Sequence, residues 1–181
     1  MALINREDTI FIAIDFQEKL MPVMHDKEQL EDKVCRLAEG MKALEIPHIV
    51  TQQYTKGIGE TIPGVAEAIG EFEPIDKTAF SCMNNEEFVA QLNDAGKKTA
   101  VVCGIEAHIC LQQTVLQLLD EGYTVYVPVD CISSRSERDC LWSITRMGEA
   151  GAIITTYEAV LYELLGGSKA PEFKAISKIV K

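Results

Sequence analysis

The sequence predicts an α/β domain in which a parallel sheet carries helices on both faces. Apolar, β-branched runs alternate with runs of helical period about six times along the chain. No repeat, low-complexity segment or linker divides the 181 residues, so the alternation belongs to one domain, 1–181, with interior enough for a single sizeable core. A third observation locates the site. Polar residues able to do chemistry stand just after several strands, and such sheets bind ligands beyond the carboxyl ends of their strands.

The elements follow in order. Residues 8–15, "DTIFIAID", form a near-continuous apolar run and read as a buried strand. Residues 27–46 place Leu30, Val34, Leu37, Met41 and Leu44 at steps of 4, 3, 4 and 3, one face of a helix that Pro47 cannot continue. "HIVTQQY", 48–54, is a second strand. Residues 55–74 are rich in Gly and Pro and read as loop with a short helical turn, and 73–80 as a short extended segment. Residues 84–96 form a compact helix with Asn at its start and Gly96 at its end. "KTAVVCGIE", 98–106, is the most strand-like run, and 109–122 is a helix closed by Gly122. Strand 123–132, helix 136–151, strand 152–156 and helix 157–165 complete the alternation, and 171–181 is a short amphipathic tail.

Composition narrows the function. Apolar residues are 47% and charged residues 25% of the chain, which is ordinary for a soluble globular protein. A net charge of −11 repels phosphate backbones and anionic membranes, so neither nucleic acid nor a membrane is an expected partner. No apolar run reaches the roughly 18 residues that span a bilayer. "MALINREDTIFIAID" lacks a basic flank and meets Asp15 early, so it reads as a first strand rather than a signal peptide, and the expected compartment is the cytoplasm. The six cysteines have irregular spacing and no C-x-x-C pair; in a reducing compartment they are free thiols.

At the strand ends stand Asp15, Lys77, Glu106 with Cys110 four residues on, and Asp130. In a parallel sheet these ends share one side of the molecule. An acid, an amine and a thiol brought together support covalent chemistry. A thiol of ordinary pKa about 8.5 attacks as thiolate, and a helix N-terminus or a nearby cation lowers that pKa. Cys110 opens a helix and Lys77 supplies the cation, while Asp15 can take the thiol proton and hand it to a leaving amine. Backbone N–H groups from Glu106 to Cys110 can hold an oxyanion. Each residue also has a plain role: free Cys is a frequent core residue, and an Asp after a strand is a common turn former. Phe16, Gln17, Leu20, Tyr54 and Phe80 lie near these ends in sequence and are candidates for lining the pocket of a small-molecule substrate.

The remaining cysteines read as packing or pocket wall. Cys103 lies inside "TAVVCGI" with no charge nearby and is core; Cys35 beside Val34 and Cys140 beside Leu141 are packing. Cys131 ends a strand without a helix start at its sulfur, and Cys82, five residues after Lys77, is placed to line a pocket wall. His108, two residues before Cys110, offers a Cys–His pair as an alternative to its reading as a loop residue.

The motifs "IAIDFQ", "KTAFS", "VVCGIEAHICLQQTVLQLLDEGY" and "VDCISSRSERDCLWSITRMGEAGAIITTYEAVLYELL" resemble the isochorismatase-like cysteine hydrolase superfamily, in order and over nearly the whole chain. The closing "PEFKAISKIVK" is similar to the isochorismatase domain-containing subgroup of unassigned specificity. The resemblance implies a three-layer, Rossmann-like α/β/α fold around a six-stranded parallel sheet, and a homo-oligomer, dimer or larger. It implies Asp15 as acid/base, Lys77 as the lysine, Cys110 as the nucleophile, and a cis peptide at Ile105–Glu106 that aims the Glu106 and Cys110 N–H groups at one oxyanion.

Two departures refine it. Metal-dependent nicotinamidases carry Asp and His after the second strand; here the loop is "TQQYTKGIGET", and His25, His48 and His108 lack ligand spacing, so no metal and no other cofactor is expected. Isochorismatases that cleave a vinyl ether can lack the cysteine; its presence favours acyl transfer through a thioester. The expectation is an amidase-type cysteine hydrolase with a catalytic triad. A non-catalytic interaction protein that keeps the fold, and a vinyl-ether hydrolase, stand as alternatives. A dinucleotide-binding enzyme is set aside, because the first strand runs into "DFQEKLMPVM" rather than a glycine-rich turn.

Overall fold

The computed structural model describes residues 3–181. Six strands make one sheet: β1 (Thr9–Ile14), β2 (His48–Gln53), β3 (Ile75–Lys77), β4 (Thr99–Gly104), β5 (Thr124–Pro128) and β6 (Ile153–Thr155), in the order β3-β2-β1-β4-β5-β6. Every pairing is parallel. All six residues of β1 and of β4 are buried, which is why these strands read as continuous apolar runs: both of their faces are covered. The chain winds outward from β1 through β2 to β3, then returns to place β4 on the other side of β1. The crevice between β1 and β4 is therefore the switch point of the sheet, where such folds bind ligands.

Helices cover both faces. α1 (Lys27–Ala43) packs with α3 (Pro63–Ile69), α7 (Tyr157–Leu165) and α8 (Phe173–Ile179). The other layer holds α4 (Glu86–Ala95), α5 (Gln112–Asp120) and α6 (Glu137–Glu149), with α5 against α6. α2 (Thr55–Ile58) is a single turn after β2. Leu30, Val34, Leu37, Met41 and Leu44 are all buried, so the spacing named the inward face of α1. Side-chain caps start α4 (Asn85 to the Phe88 N–H), α6 (Ser136 to the Asp139 N–H) and α7 (Thr156 to the Ala159 N–H).

Two segments differ from the sequence expectation. Residues 55–74 hold two helices rather than one turn in a loop, with Pro63 at the first position of α3, where its missing N–H costs nothing. Cys110 does not open an α-helix. Ala107–Leu111 form a π-helical turn, and α5 begins only at Gln112. The tail is ordered as α8, with Ile176 buried and Arg36 donating to the Ile179 carbonyl.

Candidate active site

Strand register assembles the site. Ile14 of β1 faces Thr51 of β2, and Gln53 of β2 faces Lys77 of β3. Residues two apart on a strand point to the same face, so Thr51 and Gln53 stand side by side, with Lys77 next to Gln53. Asp15 follows β1 in the left-handed region (φ 58°), a conformation that Asp tolerates better than most residues. Its N–H donates to the Thr51 carbonyl at 3.1 Å, which fixes where the carboxylate points.

Asp15 and Lys77 form an ion pair at 2.7 Å with both side chains fully buried. The second carboxylate oxygen accepts from Thr51 Oγ1 at 2.8 Å. Lys77 Nζ also donates to Gln53 Oε1 at 2.6 Å, to the Phe80 carbonyl at 3.1 Å and to the Ala79 carbonyl at 3.3 Å. Burial opposes the ammonium charge, yet the Asp15 carboxylate beside it outweighs that cost, and the pKa of Lys77 lies above its usual value. The amine is a cation at every physiological pH.

Cys110 Sγ lies 3.9 Å from Gln53 Oε1. The sequence reading expected a thiol pKa lowered by Lys77 and a helix start. The structure reverses the sign. Burial first, and the Asp15 carboxylate second, push the pKa well up; the pull of Lys77 is the smaller effect. The thiol is therefore protonated at neutral pH. Thr114 of α5 ties Cys110 to its surroundings: its Oγ1 donates to the Cys110 carbonyl at 2.7 Å and accepts the Cys82 N–H at 3.0 Å.

The turn before Cys110 has an uneven use of its amides. The Ile105–Glu106 peptide is cis. The N–H groups of Ile105, Ala107 and Ile109 donate to Ile14, Ser133 and Glu106 carbonyls at 3.1, 2.7 and 3.0 Å. Those of Glu106 and His108 have no acceptor outside the turn among the described residues, and the Cys110 N–H lies within the π-helical turn itself. The Glu106 side chain points elsewhere, its Oε2 accepting from Arg135 N and Nε at 3.1 and 3.0 Å.

The other residues singled out by sequence fall in different places. Phe16 is in the core. Gln17 is fully buried and binds backbone: it accepts the Gln53 N–H at 2.6 Å and donates to the Gln53 and Gly59 carbonyls at 3.1 and 2.7 Å. Leu20 packs partly buried against the core. Tyr54 and Phe80 are about half exposed (51% and 55%), next to Gln53 and just beyond Lys77. His108 Nδ1 sits 2.8 Å from Ser134 Oγ, turned to a partner other than the thiol. Asp130 accepts the Tyr157 N–H at 2.9 Å at the start of α7. Cys82 is fully buried with Sγ 3.8 Å from Thr51 Oγ1, and Cys103 and Cys131 are buried in the core. A cavity of about 320 Å³ between α1 and α6, lined by His25, Leu30, Glu137 and Ile144 among others, contains none of Asp15, Lys77 and Cys110. Among the described residues no group of three or more His, Cys, Asp or Glu is arranged to hold a metal ion, and no helix is long and apolar enough to cross a membrane.

Gln53, Thr51 and Thr114 were missed by sequence reasoning. The signal for Gln53 was there in "TQQY": a residue two after Thr51 shares its face, and Lys77 ends the neighbouring strand.

Comparison with known proteins adds the following. Residues 9–159 match the family described as isochorismatase domain. Isochorismatase domain-containing protein 2 of Xenopus laevis is 36% identical over 176 residues, covering 97% of this chain and 84% of that protein. Isochorismatase domain-containing protein 1 of Salmo salar is 36% identical over 173 residues, covering 96% of this chain but 61% of that protein. Among solved structures, the MAR1 ribonuclease from Caenorhabditis elegans superposes with a TM-score of 0.92 at 39% identity, over 99% of this chain and 92% of that one. The YcaC gene product of Escherichia coli, described as an octameric hydrolase of unknown specificity, superposes with a TM-score of 0.93 over 99% of this chain and 89% of that one; at 22% identity it attests the fold.

Proposed function

This chain belongs to the isochorismatase domain family, and we propose that it is a metal-independent cysteine hydrolase of a small amide or related acyl substrate. The observation that carries this reading is the fully buried Asp15–Lys77 pair at the strand ends, with the Cys110 thiol beside the same Gln53 oxygen that Lys77 binds. A buried acid, amine and thiol are costly to a fold that does not use them.

Burial and the Asp15 carboxylate favour the protonated thiol, so the reading starts from the thiol. Thiolate does not wait in the site. Asp15 takes the Cys110 proton as sulfur bonds to the acyl carbon, and the carbonyl oxygen becomes an oxyanion held by the Glu106 and Cys110 N–H groups. The C–N bond then breaks, the proton passes from Asp15 to the leaving amine, and a thioester remains on Cys110. Asp15 next deprotonates a water that attacks the thioester; the acid leaves and the thiol regains its proton. Lys77 holds the Asp15 carboxylate in place and supplies positive charge to the sulfur as negative charge builds there.

The test is acrylamide labelling of the intact protein followed by peptide mass spectrometry, with ammonia release from a panel of small amides. Labelling of Cys110, and loss of ammonia release in Cys110→Ala and Asp15→Asn, are expected. A label on another cysteine while Cys110 stays free overturns the assignment. A second reading has one observation behind it, the name ribonuclease borne by the C. elegans structure. A net charge of −11 opposes it, and a labelled RNA incubated with wild type and Cys110→Ala decides it.

The proposal extends to setting and assembly. Six free cysteines suit a reducing cytoplasm. A homo-oligomer, dimer or larger, is supported by Leu141 and Trp142 on α6, 60% and 65% exposed, as large apolar side chains left uncovered. Light scattering on the purified chain reads the assembly directly.

A further inference from the structure

Lys77 carries three N–H donors, and four oxygens compete for them: Gln53 Oε1 at 2.6 Å, Asp15 Oδ2 at 2.7 Å, the Phe80 carbonyl at 3.1 Å and the Ala79 carbonyl at 3.3 Å. The Cys110 sulfur is not among the partners. The shortest of these contacts is made by Gln53, whose Oε1 is also the atom 3.9 Å from that sulfur. One amide oxygen is thus within reach of both the cation and the thiol.

Its orientation is not free. Gln53 Nε2 donates to the Thr78 carbonyl at 2.9 Å, so the amide nitrogen is committed and the oxygen has to face Lys77. The backbone of Gln53 is clamped as well, by both ends of the buried Gln17 amide at 2.6 and 3.1 Å. A carboxamide held at backbone and tip by groups outside the trio is a fixed part of the site.

Building on the hydrolase reading, we propose that Gln53 is a positioning residue that holds the Lys77 ammonium off the Cys110 sulfur and so sets the pH at which the thiol becomes a nucleophile. As the thiolate forms it competes with Gln53 Oε1 for an Nζ proton. Removing that competitor eases thiolate formation; replacing it with a carboxylate hinders it. The charged and titratable groups facing the thiol are Asp15 at the end of β1, Lys77 on β3 and Cys82 before α4, and none of them is changed by substituting Gln53.

The experiment is the pH profile of Cys110 alkylation by iodoacetamide, read by mass spectrometry at that cysteine alone, in wild type, Gln53→Met and Gln53→Glu. Gln53→Met, similar in length without an acceptor, is expected to lower the apparent pKa by about 1 unit, and Gln53→Glu to raise it by about 1 unit. A scaffolding role would change thermal stability in both variants and leave the Gln53→Met profile unmoved, whereas the charge of Gln53→Glu raises the pKa under either role and so checks that the assay responds. Shifts of the same sign, or a Gln53→Met shift under about 0.3 unit, overturn the proposal. If Gln53→Met does not fold, Gln53→Leu, which also lacks an acceptor, takes its place, and an unmoved profile in it overturns the proposal. Alkylation needs no substrate. Opposite shifts with a silent amide panel would keep the role of Gln53 and reject the hydrolase reading, and turnover with an unmoved Gln53→Met profile would do the reverse.

Discussion

Replacing Lys77 with methionine leaves the Asp15 carboxylate fully buried with only the Thr51 hydroxyl as a side-chain partner. The ion pair is 2.7 Å long and neither side chain touches solvent. At an effective dielectric near 20, charges about 3 Å apart attract by roughly 5 kcal/mol, and breaking buried pairs on one side costs about 3–5 kcal/mol. Gln53 Oε1 also loses its strong donor, about 1 kcal/mol more. The expected loss is ~4 kcal/mol at pH 7, about a quarter or more of the stability of an ordinary domain. The sharper part is the sign of the rescue. In Asp15→Asn/Lys77→Met no lone charge remains, so the double variant should recover more than half of the loss. A buried unpaired carboxylate takes up a proton easily, so the deficit of Lys77→Met should also shrink between pH 7 and pH 5. Urea unfolding of wild type, both single variants and the double variant at the two pH values measures all of this. A loss below about 1 kcal/mol for Lys77→Met, or a double variant as unstable as Lys77→Met, would refute the reasoning.

Other outcomes follow from neighbouring features. Gly104 ends β4 at φ 156°, and a Cβ there would lie 2.5 Å from Ile14 Cβ and 2.7 Å from the Ile14 carbonyl; Gly104→Ala should cost about 1–3 kcal/mol in urea unfolding and, by prising β1 from β4, slow Cys110 alkylation. Thr114→Val keeps the shape but strands the buried Cys82 N–H, for an expected loss of about 1–3 kcal/mol by the same assay. Burial raises the pKa of Cys103, Cys110 and Cys131, and that of Cys82 to about 11, from an ordinary 9.0. The native state thus keeps protons that the unfolded chain releases, so stability is fully present below pH 9 and falls above it by up to ~1.4 kcal/mol per pH unit for each such thiol. A flat stability curve from pH 9 to 10.5 would contradict this assignment. Ile176→Asp, on the buried side of α8, should loosen the tail and lower the melting temperature, as calorimetry would show.

Much of this was legible because the fold separates its jobs along the chain. β1 and β4 are covered on both faces, so they announce themselves as apolar runs; α1 is covered on one, so its buried side repeats with helical period. Parallel winding sends every strand end to one side, which let Asp15, Lys77 and Cys110 be grouped before any distance was known. What stayed hidden depends on long-range geometry. Gln53 acquires its role only when β2 and β3 are paired in register, and Gln17 only when its amide meets that same backbone. The π turn at Ala107–Leu111 has no capping side chain at Glu106 to mark it. The sign of the Cys110 shift was misread because helix starts and nearby cations are visible in sequence, whereas depth of burial is not. The two helices within 55–74 were masked by glycines, although Pro63 was a legible start signal.

The central position of β1 also governs how the chain is made. Its neighbour β2 leaves the ribosome soon after it, but its other neighbour begins only at Thr99, the partner of Thr9, about ninety residues later. Until β4 emerges, a strand that is buried along its whole length in the finished fold keeps one edge open, and Asp15 stands at its end. Nascent chains stalled or truncated before β4 therefore display the hydrogen-bonding template that drives strand-to-strand aggregation. Completion of β4 closes that edge and brings the turn that carries Cys110 to the end of the sheet where Asp15 stands.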